Sequence, residues 1–422
     1  MRRSLVLALL VVVLGVAAVQ TGRRLLFNLT YLLGATLVLS FIWAWSNAHF
    51  FALQRISTST RSQVGRLFEE RFIVRNTGWL PKLWLEVRDN STLPNHRAGR
   101  VVHSIMPRQA RGWSVKTLCI QRGRFRLGPM EVVTSDPFGF FTFTRAIPHT
   151  STLIVYPATF DLPTFEPPRG HLIGGESLYR RTHHITPNVA GVRDYQPGDS
   201  FNRIHWRTTA RTGRLMVKEF EEDPTADVWL VVDMEASTRA VAQEYADFLA
   251  FHPNVWQPAL PEPILPSSEE YIITAAASIA RYFINQKRPV GLVAHAQERF
   301  VLQPDRGPRQ MRRLLEHLAV IRAEGRTPLH HTLALEDMFF TRGTTLIVCT
   351  ASPSEEWVQA LSLLRRRGVR PLAVVVDAHS FDPSRMRPDA VIAALRVAGI
   401  PAYHLQRGDD FAAALGHRAA VT

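Results

Sequence analysis

The sequence predicts a multidomain chain: an N-terminal transmembrane helical hairpin, a β-sandwich-like domain, and a C-terminal α/β doubly wound domain. Three observations predict it. Two long apolar runs occupy the first fifty residues, short alternating runs follow, and beyond residue 226 continuous apolar runs alternate with helical patterns. The expected boundaries are 1–50 for the hairpin, 51–155 for the β-domain, 156–225 for a linker with a dense motif, and 226–422 for the α/β domain.

The first run, Leu5 to Val19, is broken by Thr21-Gly22-Arg23-Arg24, and the second extends from Leu25 to Trp45. The second is long enough to cross a hydrocarbon core of about 30 Å, and Trp43 and Trp45 end it where indoles favour headgroups. The first is short enough to suggest a signal peptide, but Gln20-Thr21-Gly22 is a poor cleavage site and a second span follows at once. Arg2, Arg3, Arg55, Arg61 and Arg66 flank the open end of the hairpin, against Arg23 and Arg24 in its connection. The positive-inside rule then places the chain in the inner (plasma) membrane with its large C-terminal part cytoplasmic.

The middle region alternates in strand fashion at Arg71–Arg75, Leu83–Val87 and Trp113–Leu118, with turns at Asn76-Thr77-Gly78 and Leu93-Pro94-Asn95. Strands this short and this closely spaced suggest an antiparallel sandwich. Gln121 to Pro129 reads as an edge strand closed by a turn, and Ser135-Asp136-Pro137-Phe138-Gly139 as another turn. Arg122, Arg124 and Phe125 interleave basic and aromatic residues, as a nucleic-acid surface would, although strand alternation alone gives that pattern.

Val228 to Val232 is a continuous apolar run, as a strand buried on both faces requires. Helices are expected at Glu269–Gln286, Arg309–Ile321, Pro353–Arg367 and Pro388–Ala398. Strands are expected at Pro289–Ala296, Thr344–Cys349, Pro371–Val376 and Ala402–Leu405, and Phe251–Pro266 reads as an inserted loop. That order indicates a doubly wound sheet. The first strand runs into Asp233-Met234-Glu235-Ala236-Ser237. A von Willebrand factor A-like domain carries Asp-x-Ser-x-Ser here and takes a Thr and an Asp from later loops to bind Mg²⁺. The segment resembles such a domain: Asp233 and Ser237 match, Glu235 replaces the middle serine, and Thr327 can be the threonine. Thr350-Ala351-Ser352-Pro353 lacks the expected aspartate, so the metal-type site, with Mg²⁺ as its only candidate cofactor, is degenerate.

Residues 191 to 211 are dense in specific types. Pro197-Gly198 makes a turn, Asp199 is placed to cap a helix from Ser200, Arg203 and Arg207 share a helical face, and Gly213 ends it. Arg193, Arg203 and Arg211 can bind an anion, with Asp194 or Asp199 to neutralise them. Buried Arg–Asp pairs over Tyr195 and Trp206 explain the same composition structurally. Gly191 to Asp199, then Asn202-Arg203-Ile204-His205-Trp206 and Ala210-Arg211, resemble the signature of the bacterial domain-of-unknown-function family numbered fifty-eight. Arg122 to Pro129, Ser135 to Phe141 and the hairpin are similar to that family too. Its members are commonly encoded beside MoxR-type AAA+ ATPases, so the resemblance implies an ATPase partner without supplying an activity.

Composition narrows function only broadly. The 422 residues are 46% hydrophobic and 20% charged, which excludes disorder throughout. Lys+Arg 50 against Asp+Glu 36 gives +14, a balance suited to anionic lipid, nucleic acid or an acidic partner. The arginines are scattered, and nucleic acid is not the expected partner. Two distant cysteines, Cys119 and Cys349, exclude a disulfide framework. His205 beside Trp206 is no catalytic signature without a recognisable nucleophile. The expectation is therefore a non-catalytic, membrane-anchored adaptor or assembly protein contacting lipid and an AAA+ ATPase. The alternatives are a hydrolase-type enzyme using residues 191–211 and an anion- or nucleic-acid-binding protein.

Overall fold

The computed structural model describes residues 2–163, 165, 181–182, 189–196, 204–221, 227–250 and 264–416. Two apolar helices open it, α1 (Arg2–Thr21) and α2 (Arg24–His49). At 1.5 Å per residue they are about 30 and 39 Å long, long and apolar enough to cross a membrane. Gly22, at φ +64°, makes the tight reversal between them.

Phe50 alone separates α2 from β1 (Phe51–Ser57). There follow β2 (Arg61–Gln63), β3 (Leu67–Asn76), β4 (Lys82–Asp89), β5 (Arg100–Ile105), β6 (Ala110–Leu118), β7 (Gly123–Leu127), β8 (Met130–Ser135), β9 (Thr142–Ile147) and β10 (Ser151–Tyr156). They form the sheets β1-β3-β6, β5-β4-β8-β9 and β2-β10-β7. The first two are antiparallel and enclose a shared core of Phe72, Val74, Trp113, Leu85, Val87, Ile105, Met130 and Val132. Strand period dictates this: in β3, Phe68, Glu70, Phe72, Val74 and Asn76 point inward on every second residue.

Glu70 enters that core as a carboxylate and is compensated there. Arg55 binds it through two nitrogens at 2.6 and 2.9 Å, Ser57 Oγ donates at 2.6 Å, and His96 Nε2 lies 3.1 Å away. Asp89 meets Arg55 at 3.2 Å and His96 at 3.3 Å, so the cluster stitches β1 and β3 to β4. Burial alone would raise the Glu70 carboxyl; hydrogen bonds from His96, Arg55 and Ser57 outweigh it and hold it at about 2. Arg55 is thus a buried ion-pair member and not a free charge flanking the hairpin. Arg61 is paired too, with Glu316 at 3.0 Å.

The end of α2 is fastened to the same unit. Buried Lys82 donates from Nζ to the carbonyls of Ser46 and Asn47 at 3.0 and 3.2 Å, and Arg145 to that of His49 at 2.9 Å. Cations belong at a helix C-terminus, where unsatisfied carbonyls concentrate negative charge. Burial pulls the Lys82 ammonium down to about 8.

Next come β11 (Arg181–Thr182), β12 (Val189–Asp194), α3 (Trp206–Thr212) and β13 (Met216–Glu221), with the strands in the order β11-β13-β12. The α/β region comprises β14 (Val228–Val232), α4 (Tyr245–Ala250), α5 (Ser268–Asn285), β15 (Val290–His295), β16 (Arg299–Asp305), α6 (Gly307–Val320), α7 (Leu329–Leu335), β17 (Thr345–Thr350), α8 (Glu356–Arg366), β18 (Arg370–Val376), α9 (Asp389–Val397), β19 (Ala402–Leu405) and α10 (Phe411–Gly416). One six-stranded sheet, β16-β15-β14-β17-β18-β19, carries helices on both faces. Val228, Leu230 and Val232 of β14 face the layer of α5, α6 and α10, while Trp229 and Val231 face α7, α8 and α9. Five strands are parallel; β16, absent from the sequence-based expectation, is an antiparallel edge. The expected loop at Phe251–Pro266 lies outside the described residues except for its last three.

The β2-β10-β7 sheet sends Phe125, Leu127, Leu153 and Val155 into the same core as α5 and α6. Arg122, just before β7, drives into the α/β region and is fully buried. Its Nη2 donates to Glu269 at 2.6 Å and to the Ile321 carbonyl at 2.7 Å, its Nε to the Leu318 carbonyl at 3.0 Å, and its Nη1 meets Glu270. One guanidinium thereby joins the acidic first turn of α5 to the carbonyl end of α6. Phe125 is buried as well, so Arg122 and Phe125 form no nucleic-acid surface. That reading fails because the basic–aromatic alternation here belongs to packing between sheets.

Candidate functional site

The carboxyl ends of β14, β15 and β17 meet at one rim of the large sheet, and two of the loops there carry the degenerate metal-type residues. Asp233 follows β14 directly and its N–H bonds the Cys349 carbonyl at 2.9 Å. It is almost fully buried, and both its carboxylate oxygens are engaged. Thr350 Oγ1 donates to Oδ2 at 2.6 Å and the Glu235 N–H to Oδ1 at 3.1 Å. Burial raises the Asp233 carboxyl to about 6; the Thr350 and Glu235 N–H bonds oppose it, and the Glu235 charge adds to it.

Glu235 pairs with Gly325 in an isolated parallel bridge, extended by Gly325 N–H to the Met234 carbonyl and Ala236 N–H to the Gly325 carbonyl, both at 2.9 Å. A side chain at Gly325 would collide with the His295 and Met234 carbonyl oxygens, so only glycine lets the loops close this tightly. Ser237 Oγ donates to Glu235 Oε1 at 2.5 Å. Thr327, two residues beyond Gly325, is half-buried. The structure thus brings Asp233, Glu235, Ser237 and the loop of Thr327 to one rim. Thr350 and the Glu235 N–H occupy the Asp233 carboxylate and Ser237 occupies Glu235 Oε1, whereas Mg²⁺ needs an open set of oxygen ligands. As arranged, these residues do not fit the ion. Among the described residues no group of three or more His, Cys, Asp or Glu is spaced to hold a metal.

Beside this rim, at the end of β15, His295 Nε2 lies 2.8 Å from Glu336, which Arg299 grips with two nitrogens at 2.5 and 2.8 Å. The Arg299 fork keeps the Glu336 carboxyl below its ordinary value against the opposing effect of burial, with His295 adding to it. Sequence reasoning missed Thr350, Gly325, His295 and Glu336. The only signal was the hydroxyl-rich Thr350-Ala351-Ser352, noted for the aspartate it lacks.

The described part of the dense motif belongs to β12, α3 and the strand β13 that pairs with β12. Asp194 ends β12, opposite Met216 of β13, and the Tyr195 N–H bonds the Leu215 carbonyl at 2.9 Å. Arg193 lies in β12 opposite Val217. The expected helix from Ser200 is corrected: α3 starts at Trp206, because Ile204 pairs with Val217 and His205 caps the helix. His205 Nδ1 accepts from the Thr208 N–H at 3.3 Å and sits 2.6 Å from Thr208 Oγ1. That contact is a local i to i+3 cap. Gly213, at φ +69°, ends α3 as expected. Trp206 is 66% exposed, so it is not packed beneath the motif, and Arg211 is exposed too. Gly198, Asp199 and Arg203 lie outside the described residues.

Fold and rim together define a mixed α/β protein of several sheets behind an apolar helical hairpin. Residues 191–247 match the family model described as "Protein of unknown function DUF58", and the chain's resemblance to that family holds. The Uncharacterized protein YeaD of Bacillus subtilis (strain 168) is 26% identical over 212 residues, 50% of this chain and 46% of that protein. The Uncharacterized protein Rv1480 of Mycobacterium tuberculosis (strain ATCC 25618 / H37Rv) is 49% identical over 45 residues, 11% of this chain and 14% of that one. The chain thus spans less than half the length of these relatives. Among solved structures, the CARDB domain of the PF1109 protein from Pyrococcus furiosus covers 25% of this chain and 94% of its own, at 16% identity and a TM-score of 0.19.

Proposed function

We propose that the chain is a membrane-anchored, non-catalytic adaptor whose C-terminal part is a von Willebrand factor A-like domain and whose partner is a MoxR-type AAA+ ATPase. The observation that carries this reading is the sheet order. Numbered by chain position within the sheet, the strands run 3-2-1-4-5-6, so β14 is the switch strand, and its carboxyl end is where open α/β sheets place their binding crevice. Asp233, Glu235, Ser237 and Thr327 gather at that end. Their internal bonding supports a preformed protein-binding face more than an ion site. The ATPase follows from the family resemblance, and the hairpin supplies the anchor.

The test is crosslinked affinity purification from native membranes with mass spectrometry, comparing the unmodified chain with Asp233→Ala/Thr327→Ala and with Trp206→Ala. An exposed tryptophan followed by an exposed arginine, Arg207, has the composition of an interface hot spot. Recovery of an AAA+ ATPase with the unmodified chain and its loss with the double variant are expected. Loss with Trp206→Ala alone would move the contact to the motif. No ATPase in any sample would overturn the partner.

A further inference from the structure

The turn joining β8 to β9 reads Asp136-Pro137-Phe138-Gly139-Phe140-Phe141. Its shape is set from within. Buried Asp136 accepts the Phe138 N–H at 2.9 Å and the Phe141 N–H at 2.7 Å, and Gly139 takes φ +71°. With the only charge in the turn consumed by the turn itself, the phenylalanines are held outward. Phe138 is 62% exposed and stacks on Phe140 at 5.6 Å. On the other side Phe141 meets the Phe41 ring of α2 edge-on at 5.5 Å, and Phe143 meets it at 6.0 Å.

Where this turn stands along the hairpin is decisive. Phe41 lies eight residues before the end of α2, about 12 Å up the helix axis at 1.5 Å per residue. Phe141 also borders a cleft of about 350 Å³ whose other walls are Ser4, Leu5 and Ala8 of α1 and Leu37, Val38 and Phe41 of α2. Leu5 opens the apolar run of α1. The turn therefore stands alongside the apolar shafts and not beyond their ends. A bilayer that receives those shafts must receive the turn as well.

We propose that the β8–β9 turn is a membrane-inserted element: Phe138 and Phe140 lie at the headgroup–acyl boundary, and lipid acyl chains cover the cleft. The proposal rests on reading α1 and α2 as membrane spans and adds a third, non-helical contact. Aromatic side chains on a turn with no free charge suit that boundary, and the N–H groups of Asp136, Phe138, Gly139 and Phe141 are bonded within the turn. The occupant is lipid because the cleft is continuous with the exposed apolar side chains of both helices, among them Leu5, Val38 and Leu39.

The test places one polarity-sensitive label at a time on the full chain, in vesicles of phosphatidylethanolamine and phosphatidylglycerol with or without brominated acyl chains. Cys119 and Cys349 are buried and stay unlabelled in the folded protein. Labels go on Phe138→Cys, on Val38→Cys in α2, and on Val397→Cys, a 90% exposed position of α9. Circular dichroism confirms that each variant is folded. The expected result is blue-shifted emission and loss of intensity in brominated lipid at positions 38 and 138, with neither at 397. Quenching at 38 but water-like emission at 138 would overturn the turn's insertion while leaving the spans intact. No quenching at 38 would overturn the spans themselves. Blue-shifted but unquenched emission at 138 would show a protein covering, a second copy or another chain, and would equally overturn the proposal.

Discussion

Asp233 shows how a residue matched to one role can be held in another. Its carboxyl is raised from an ordinary 3.8 to about 6, so the native state holds its proton more tightly than the unfolded chain does. The sign follows: relative stability is greatest below pH 4, falls as pH rises towards 6, and stays lower above it. Asp233→Asn removes that penalty and keeps an acceptor for the Glu235 N–H. Urea denaturation in detergent should show the variant gaining roughly 1–3 kcal/mol over the unmodified chain at pH 8 and little at pH 4. A Mg²⁺-dependent rise in stability of the unmodified chain, absent in Asp233→Asn, would contradict the internal bonding seen here. The sequence revealed that Asp233 ends a buried strand. It did not reveal Thr350 as its partner, since a hydroxyl 117 residues away carries no local signal.

Readable elements were those with one buried face, or those whose apolar run is continuous because both faces are buried. β3, β4 and β6 announced themselves by alternation, and α5 and β19 fall within a residue or so of their expected bounds. β8 and β9 were hidden because β8 is buried on nearly every residue and β9 mostly exposed, so neither alternates. The motif helix was misplaced because Asp199 looked like the cap and His205 serves instead. Two ionic links between elements are open to measurement. Glu70→Gln should destabilise by roughly 3–5 kcal/mol at pH 7, because it leaves Arg55 buried with a weaker partner. The depressed Glu70 carboxyl contributes stability that is complete above 4.5 and is lost as pH falls towards 2, so the gap between variant and unmodified chain should narrow over that window. Arg122→Ala should cost roughly 2–4 kcal/mol, because Glu269 and Glu270 lose their fully buried partner and keep only Arg239 and the more distant Arg322; Arg122→Lys should recover only part of it, lacking the guanidinium fork.

At the scale of the whole molecule, the order of parts was legible and their joining was not. Apolar runs, alternation and buried strands each report on their own neighbourhood, whereas the Arg122–Glu269 contact spans 147 residues. The consequence of the α2–β1 junction is mechanical. One residue separates helix from sheet, and Lys82 and Arg145 clasp the helix end. A domain on a long tether sweeps a hemisphere and meets its partner in any pose. With its hairpin in a bilayer, this one stands like a post in a floor: its height is set, and its heading changes only as the whole post turns.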